Sequence, residues 1–287
     1  MDRSDMSKIS ELLNNIEVLP ASPALLPKLA DALSRINNAN IDEIVDMIMF
    51  DSALTAELLH IANSAYFGLD TPVTSVGDAV SEVGSDAVYL LAASISGEKC
   101  LRMPPGTGLD GVLLWKHSVT TAFGAQHVAR AAGLDGNLLF TAGLLHDLGK
   151  VIFARAYGKD YTAMFDPARR DSLSLAEWEK INYGYDHAEV GAALLECWKL
   201  PADIVGAIRF HQRLSAAGEY APPAACICLG NALSHVLEQP AFALDPDNSQ
   251  LKPALHLVNL TVPDLVAQWK RIRENWEFVR QLCELRK

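Results

Sequence analysis

The spacing of the apolar residues is the first feature of this chain that indicates a structure. Along almost the whole length, apolar residues recur at spacings of three and four, whereas strict alternation of apolar and polar residues is scarce. The first pattern places the apolar side chains on one face of a helix, and alternation would place them on one face of a strand. The sequence therefore predicts an all-α fold.

Polar residues that can cap helices mark the beginnings of two helices in the first third of the chain. Asp51 is the expected N-cap of a helix that should end before Gly68. Ser75 and Asp78 have the spacing of a capping box and predict the start of the next helix. The apolar stripe of the Asp51 helix consists of Leu54, Leu58, Ile61 and Ala65.

The segment from Ser75 to Ala93 has the outline of a helix-turn-helix motif with Gly84 at the bend. It carries Asp78, Glu82 and Asp86 but no Lys or Arg, and a recognition helix needs basic contacts to phosphate. The formal net charge of the chain is −11, which also opposes broad attachment to nucleic acid or anionic lipid. We therefore expect this segment to pack within the protein, and we expect no nucleic-acid partner.

Segments that interrupt the helical pattern divide the chain into four predicted parts. The run from Met103 to Gly108 contains two prolines and two glycines and marks the main boundary. A second loop, with Pro and Asp, runs from Pro240 to Pro246. The predicted parts are an N-terminal extension (1–16), an N-terminal helical lobe (17–105), a second helical lobe with several histidines (106–240) and a C-terminal loop and helix (241–287).

The last helix is expected to begin near Pro263 and to pack on another helix. Its apolar residues alternate spacings of four and three, which is typical of a helix–helix seam. Either intramolecular packing or a dimer contact satisfies this pattern, so a monomer and a homodimer both stay open. The stripe consists of Leu265, Trp269, Ile272, Trp276, Val279 and Cys283.

The amino-acid composition is ordinary for a soluble globular protein. Of the 287 residues, 50% are hydrophobic and 21% are charged, and no stretch reaches the roughly 20 apolar residues of a membrane span. No charged segment followed by an apolar core opens the sequence, so we expect a cytoplasmic location and no membrane partner.

The cysteines are odd in number and lack paired C-x-x-C spacing, which predicts buried thiols rather than disulfides or a structural zinc site. They are Cys100, Cys197, Cys226, Cys228 and Cys283.

An imidazole and a carboxylate, His146 and Asp147, stand side by side within an apolar run. A buried carboxylate has to be paired, protonated or bound to a metal. His117, His187 and His211 lie in predicted helices and can converge on this pair. One buried histidine is usually structural, but the whole set indicates a metal site, and neutral imidazoles with a carboxylate suit Fe, Mn, Ni or Zn better than Mg or Ca. We therefore predict one or two transition-metal ions.

The helix that carries His187 has well-marked ends. Asp186 and Glu189 have the spacing of a capping box, which places His187 in the first turn. Pro201 marks a point by which the helix must have ended. A histidine in that first turn is held rigidly.

The histidines and the doublet, with Gly149 and Lys150 after it, resemble the metal-dependent phosphohydrolase superfamily named for its HD doublet. The chain is more similar to the HDOD domain, a subgroup associated with bacterial signalling, over roughly residues 17–240. This resemblance implies a two-lobed helical HDOD fold, with residues 106–240 as the HD-like metal-site lobe. The segments that carry it, in chain order, are Leu19-Pro20-Ala21-Ser22-Pro23, Asp51-Ser52-Ala53-Leu54-Thr55, Ala62-Asn63-Ser64-Ala65-Tyr66-Phe67-Gly68, Ala142-Gly143-Leu144-Leu145-His146-Asp147 and Asp186-His187-Ala188-Glu189-Val190-Gly191.

The same resemblance implies roles for individual residues. Asp147 would be able to bridge two ions and would act in catalysis together with Lys150, which would face a substrate phosphate. His187 and His211 match positions that complete a second metal site in the cyclic-dinucleotide phosphodiesterase relatives. The residues implied as ligands of the first metal are His117, His146 and Asp147.

The chain also departs from the pattern of those relatives. Asn231 stands where the superfamily has its closing Asp, and Gln212 follows His211 where the phosphodiesterase relatives have a further His. The Gly-Tyr-Pro signature of that group is absent, since Gly184-Tyr185-Asp186 does not supply it. We include Asn231 among the predicted metal ligands, but its neutral amide oxygen binds a metal more weakly than a carboxylate does. Metal affinity should therefore fall, while the more positive site can still bind a phosphate.

Two functions follow, and we favour the first. The first is a bacterial signal-transduction or regulatory HDOD module with a histidine-rich, HD-type metal site and weak or absent catalysis. The alternative is a metal-dependent phosphohydrolase acting on a nucleotide or a related phosphate ester, and a buried network without a metal is a third interpretation. The expected partners are an unidentified signalling protein and a small phosphate-containing ligand.

Overall fold

A computed structural model of the protein describes residues 3–15, 25–34, 41–103, 106–166, 173–238 and 251–284. Within these ranges the regular structure consists of helices, with no strand. The predicted all-α fold is therefore confirmed. The predicted motif at residues 19–23, the prolines at 104 and 105 and the loop from Pro240 to Pro246 lie outside the described residues.

The helices before residue 103 pack around one buried helix, α6, which contacts α2, α3, α4 and α5 as defined below. Gly84, with φ at +89°, forms the bend between the last two of these helices, as the sequence predicts. The helices are α1 (Arg3–Asn15), α2 (Leu26–Ser34), α3 (Ile41–Met49), α4 (Ser52–Ala62), α5 (Val76–Val83) and α6 (Ser85–Cys100).

Both predicted N-caps in this part of the chain are present. The backbone N–H of Leu54 donates to Asp51 Oδ1 at 3.0 Å, and the N–H of Asp78 donates to Ser75 Oγ at 3.0 Å. The expected stripe of α4 is wrong at its last position, because α4 ends at Ala62 and Ala65 is exposed. The side chain of Asn63 explains this end, since it donates to Val73 O at 2.9 Å and accepts from Val73 N at 2.8 Å.

Among the helices from residue 111 to residue 238, α7 packs against α8 and α14, and α12 packs against α9 and α13. A helical turn, α10, follows α9 and packs against it. The helices are α7 (Gly111–Ala131), α8 (Gly136–Leu145), α9 (Leu148–Tyr157), α10 (Lys159–Thr162), α11 (Leu175–Tyr183), α12 (His187–Cys197), α13 (Ala202–Phe210) and α14 (Ala221–Glu238).

Two pairs of glycines allow helices of this second group to approach closely. A Cβ atom on Gly124 of α7 would lie 2.7 Å from the Cα of Gly230 in α14. A Cβ atom on Gly191 of α12 would lie 3.0 Å from the backbone nitrogen of Gly149 in α9. Because these backbones nearly touch, short side chains on different helices can reach a common point.

The C-terminal residues form three helices, α15 (Leu251–Leu257), α16 (Val262–Glu274) and α17 (Trp276–Cys283). The expectation of one continuous helix after Pro263 is wrong, because the helix is interrupted at Asn275, between the end of α16 and the start of α17. The break turns α17 so that Phe278 and Leu282 are buried, while Trp276 is 38% exposed and leaves the predicted stripe. Trp115 of α7 donates through Nε1 to Leu282 O at 2.9 Å, so α17 packs within the chain.

The cysteines differ in burial. Four of the five cysteines are buried, and Cys197 at the end of α12 is exposed, contrary to the expectation of buried thiols throughout. All five are free.

In the described ranges, none of the helices combines the length and the hydropathy that crossing a bilayer requires.

Candidate metal centre

Helix ends bring the predicted ligands together. His146 is the residue directly after α8, Asp147 is the N-cap of α9, and His187 is the first residue of α12. His211 directly follows α13, and all four of these side chains are buried. His117 reaches the same place from within α7. The doublet is thus a sharp junction between two helices that points both of its side chains inward.

Asp147 lies at the middle of the histidines. Its Oδ1 is 3.4 Å from His146 Nε2 and 3.5 Å from His187 Nε2. Its Oδ2 is 3.6 Å from His117 Nε2 and 2.6 Å from Lys150 Nζ. Each oxygen of this carboxylate therefore faces a nitrogen atom that can bind a metal.

Two sets of donor atoms share this carboxylate. The first donor set is His117, His146 and Asp147, and the second donor set is Asp147, His187 and His211. Within each set, the possible ligand atoms all lie within 4.8 Å of one another. A carboxylate that belongs to two such sets has the placement needed to bind either of two ions or to bridge both.

Contacts outside the donor sets fix the orientation of the imidazole rings. His146 donates through Nδ1 to Gly143 O at 2.7 Å, and His211 donates through Nδ1 to Ile208 O at 2.7 Å. These bonds leave the lone pair of each neutral ring on Nε2, the atom that faces the site. The Nδ1 of His117 lies 3.1 Å from Ser234 Oγ on α14.

The carboxylate of Glu179, on α11, holds His187 and was not predicted from the sequence. Its Oε2 accepts from the His187 backbone N–H at 2.8 Å and from His187 Nδ1 at 2.6 Å. Its Oε1 accepts from Tyr161 OH at 2.6 Å. Glu179 is fully buried, and the only sequence signal for this role is a charged residue on the face of α11 that also carries buried Ala176.

Replacing Glu179 by glutamine is expected to lower the free energy of unfolding by about 1 to 2 kcal/mol, because hydrogen bonds to a carboxylate become weaker bonds to an amide. Urea denaturation followed by circular dichroism measures this change. Glu196→Gln is the matched control, since Glu196 pairs with Arg209 at the surface and its replacement should cost less than about 1 kcal/mol. Equal losses in the two variants would contradict the role assigned to Glu179.

Burial and neighbouring charges set the protonation of the site. Burial lowers the pKa of His146 well below its usual value and lowers the pKa of His211 to about 4. Burial also lowers the pKa of His187, but the Glu179 carboxylate outweighs it and the pKa is raised. Burial raises the pKa of Asp147, yet His146, Lys150 and the other histidines outweigh it and hold that pKa well below its usual value. An ionised Asp147 beside neutral His146 and His211 presents the lone pairs that a metal needs.

Two of the donor atoms lack hydrogen-bond partners, which provides a test of whether a metal fits. Among the described residues, the buried His146 Nε2 and Asp147 Oδ1 have no partner. A buried polar atom without a partner costs about 1 to 3 kcal/mol. A transition metal would satisfy both atoms, and imidazole with carboxylate is a donor combination typical of Fe, Mn, Ni and Zn. The residues present therefore fit such an ion.

Asn231 lies on α14, three residues before Ser234. Within the described part of the chain, its Oδ1 is buried and also has no hydrogen-bond partner. The contact of Ser234 Oγ with His117 Nδ1 at 3.1 Å places this part of α14 beside His117. A role for Asn231 as a metal ligand stays a prediction.

A cavity of about 380 Å³ opens beside the first donor set. His117, Asp147 and Lys150 line it on one side, and Leu113 and Phe165 give it apolar walls. His235, one turn after Asn231 on α14, also lines this cavity, and its ring centroid lies 5.2 Å from that of His117. No sequence signal selects His235, because its separation of four residues from Asn231 is common in helices. The cavity has the size and the mixed lining of a small-molecule site.

Known proteins resemble this chain in sequence and in fold. A model of the HDOD domain family matches residues 19–214. An uncharacterized protein of Treponema pallidum (strain Nichols) is 29% identical over 239 residues, which make up 80% of this chain and 44% of that protein. This chain therefore spans less than half the length of that relative.

Two crystal structures share the fold. An HDOD domain protein of unknown function from Geobacter sulfurreducens is 23% identical with a TM-score of 0.75, over 98% of this chain and 97% of that chain. A proposed phosphohydrolase from Shewanella amazonensis SB2B is 22% identical with a TM-score of 0.73, over 97% of each chain. Because the family model covers more than half of the sequence, this chain belongs to the HDOD domain family.

Proposed function

We propose that this protein is a regulatory, signal-transducing HDOD module whose site binds a transition metal and a small phosphate-containing ligand, with weak or absent hydrolysis. The observation that carries this proposal is the position of Asp147 between two sets of donor atoms, with its Oδ1 and His146 Nε2 buried and unpartnered among the described residues. His117, His146 and Asp147 would hold the first ion, and His187 and His211 offer donors for a second. Fe, Mn, Ni and Zn are the candidate metals.

The residues around the cavity support a phosphate-containing ligand. When bound, the metal supplies a Lewis acid that polarises a phosphoryl oxygen. The ammonium of Lys150 lines the cavity beside Asp147 and would contact the ligand's phosphate oxygens. Leu113, which is exposed, and Phe165 offer apolar surface to the rest of the ligand.

The charge of the site favours binding over turnover. Asn231 removes one carboxylate from the expected ligand set, which leaves the site more positive. A more positive site holds a phosphate anion well. With only Asp147 as a carboxylate in the two donor sets, however, it should bind its metal less tightly than a site with two carboxylates.

A route for signalling runs from the metal site to the N-terminal helices through α8, which ends directly before His146. Tyr89 of α6 is hydrogen-bonded to Thr141 of α8. A Cβ atom on Gly97 of α6 would lie 2.5 Å from Leu144 Cδ2, two residues before His146, so the helices are in close contact. A shift of α8 on ligand binding would therefore move α6 and, through it, the N-terminal helices that pack around α6 and that we propose contact a signalling partner.

The alternative function is a working phosphohydrolase, and the intact doublet with Lys150 favours it. Hydrolysis of bis(4-nitrophenyl) phosphate by the Mn²⁺-loaded protein distinguishes the two functions. We expect the wild-type rate to be close to that of His146→Ala. We expect Asn231→Asp to raise metal affinity by roughly tenfold, or 1.4 kcal/mol, and to raise the rate with it.

One result of this assay would count against the favoured function, and one result of a Mn²⁺ titration would count against the role of Asn231. A robust wild-type rate that both His146→Ala and Asp147→Ala abolish would establish the phosphohydrolase instead. Unchanged metal affinity in Asn231→Asp would remove Asn231 from the site.

A further inference from the structure

Gln212 contacts both imidazole donors of the second donor set. It directly follows His211, and its Nε2 lies 3.1 Å from His211 Nε2 and 3.4 Å from His187 Nε2. These ring atoms are the ones that the second donor set would offer to a metal. A single side-chain amide therefore occupies the approach to both of them.

The hydrogen bonds made by Nδ1 of His211 and His187 indicate which end of the Gln212 amide faces the rings. His211 donates through Nδ1 to Ile208 O, and His187 donates through Nδ1 to Glu179 Oε2. A neutral imidazole that donates through Nδ1 accepts through Nε2. The NH2 group of Gln212 is therefore the end that faces the neutral His211 ring, since it can donate to the lone pair of His211 Nε2 and the amide oxygen cannot, and the same nitrogen atom lies 3.4 Å from His187 Nε2. An amide NH2 group has no lone pair to offer a metal in return.

The first donor set differs from the second in this respect. His146 Nε2 and Asp147 Oδ1 have no hydrogen-bond partner among the described residues. Lys150 contacts the other oxygen of Asp147, Oδ2. An ion that binds His146 Nε2 and Asp147 Oδ1 displaces no hydrogen bond from either atom, whereas an ion in the second donor set has to displace the Gln212 amide from its position against His211 Nε2 and His187 Nε2.

We propose that Gln212 closes the second donor set, so that the chain binds one metal ion tightly at His117, His146 and Asp147. The inference rests on the metal-binding function proposed above. Neighbours of metal ligands change affinity by about 10- to 100-fold, and we therefore expect a second ion to bind at least about tenfold more weakly than the first. Gln212 is a positioning residue in this account, since it acts by occupying the donor atoms of His187 and His211.

Titration of the metal-stripped protein with MnCl2, by calorimetry and by electron paramagnetic resonance, tests this proposal. The wild type should bind one tight ion with the spectrum of isolated Mn²⁺. Gln212→His replaces the amide by an imidazole and should bind two ions with the spectrum of a coupled Mn²⁺ pair. Gln212→Ala should tighten the second binding step by at least about tenfold relative to the wild type.

Two controls locate the second ion. Asn182→His adds an imidazole at an exposed position of α11 and should leave the stoichiometry at one. Adding His187→Ala to Gln212→His should return the stoichiometry from two to one, because it removes a donor of the second donor set.

The outcomes separate this inference from the function on which it rests. Two ions of equal affinity in the wild type would overturn the role of Gln212 while leaving the metal-binding function in place. A folded Gln212→His variant that still binds one ion would also overturn that role, and if this variant does not fold, an unchanged second step in Gln212→Ala would do so. No binding by the wild type would overturn the proposed function together with this inference.

Discussion

Replacing Gly149 by alanine is expected to lower the free energy of unfolding by about 3 kcal/mol, the upper end of the usual range for overpacking. A Cβ atom at this position would meet the backbone of His187, lying 2.6 Å from its carbonyl carbon and 2.8 Å from its Cα. Backbone atoms cannot move aside as a flexible side chain can. The clash would therefore push α12 away from α9 and move His187 away from Asp147, which now lies 3.5 Å from it.

Gly77 provides a matched control for this substitution. A Cβ atom there would meet only Ser75 Oγ, at an ordinary contact distance of 3.8 Å. Because alanine favours a helix by up to about 1 kcal/mol over glycine, Gly77→Ala should be neutral or slightly stabilising. Urea denaturation of both variants measures the difference. Equal stability of Gly149→Ala and the wild type would show that α9 and α12 do not cross as closely as described.

Replacing Asp147 by asparagine is expected to weaken metal binding by at least about 100-fold, since this carboxylate is itself a ligand in both donor sets and its neighbours alone would change affinity by 10- to 100-fold. The substitution keeps the shape of the side chain and removes its charge. Calorimetric titration of the metal-stripped protein with Zn²⁺ or Mn²⁺ measures the loss.

Asp135 is the matched control for Asp147. It caps α8, and its Oδ1 accepts from the backbone N–H groups of Asn137 at 2.9 Å and Leu138 at 3.1 Å. Asparagine caps helices about as well as aspartate does, so Asp135→Asn should keep both the fold and the metal affinity. Similar metal affinities for Asp147→Asn and the wild type would remove Asp147 from the centre of the site.

Features that depend on residues close in the chain could be predicted from the sequence. The caps at Asp51 and Ser75 were predicted correctly, and Asp186 with Glu189 forms the expected capping box before His187. Each of these motifs satisfies backbone N–H groups within its own first turn. The sequence alone therefore contains the information that such motifs need.

Features that depend on contacts between distant segments could not be predicted in this way. The end of α4 is set by Asn63 reaching Val73, and the orientation of α17 follows from the break at Asn275. In the sequence, Gln212 is only a departure from a family pattern, whereas its contact with His187 spans 25 residues. Such contacts depend on how helices cross, and the apolar spacing that identifies a helix does not fix its crossing angles.

The residues of the candidate site also divide into those that the sequence predicts and those that only the packing of the helices reveals. Its histidines and Asp147 could be selected because their residue types are suited to metals and because they resemble a known motif. Glu179 and His235 carry no comparable signal, since a glutamate between Trp178 and Lys180 is ordinary on a helix surface. Only the packing of α11 against α12 makes that glutamate a buried partner of His187.

The metal content of the wild-type protein, purified without added metal, tests whether Asp147 and the histidines around it bind an ion. Elemental analysis should find at least one ion of Fe, Mn, Ni or Zn per chain. Chelation should then lower the melting temperature, because a ligand that binds only the folded state stabilises it. A protein that contains no metal and melts at the same temperature before and after chelation would contradict the account.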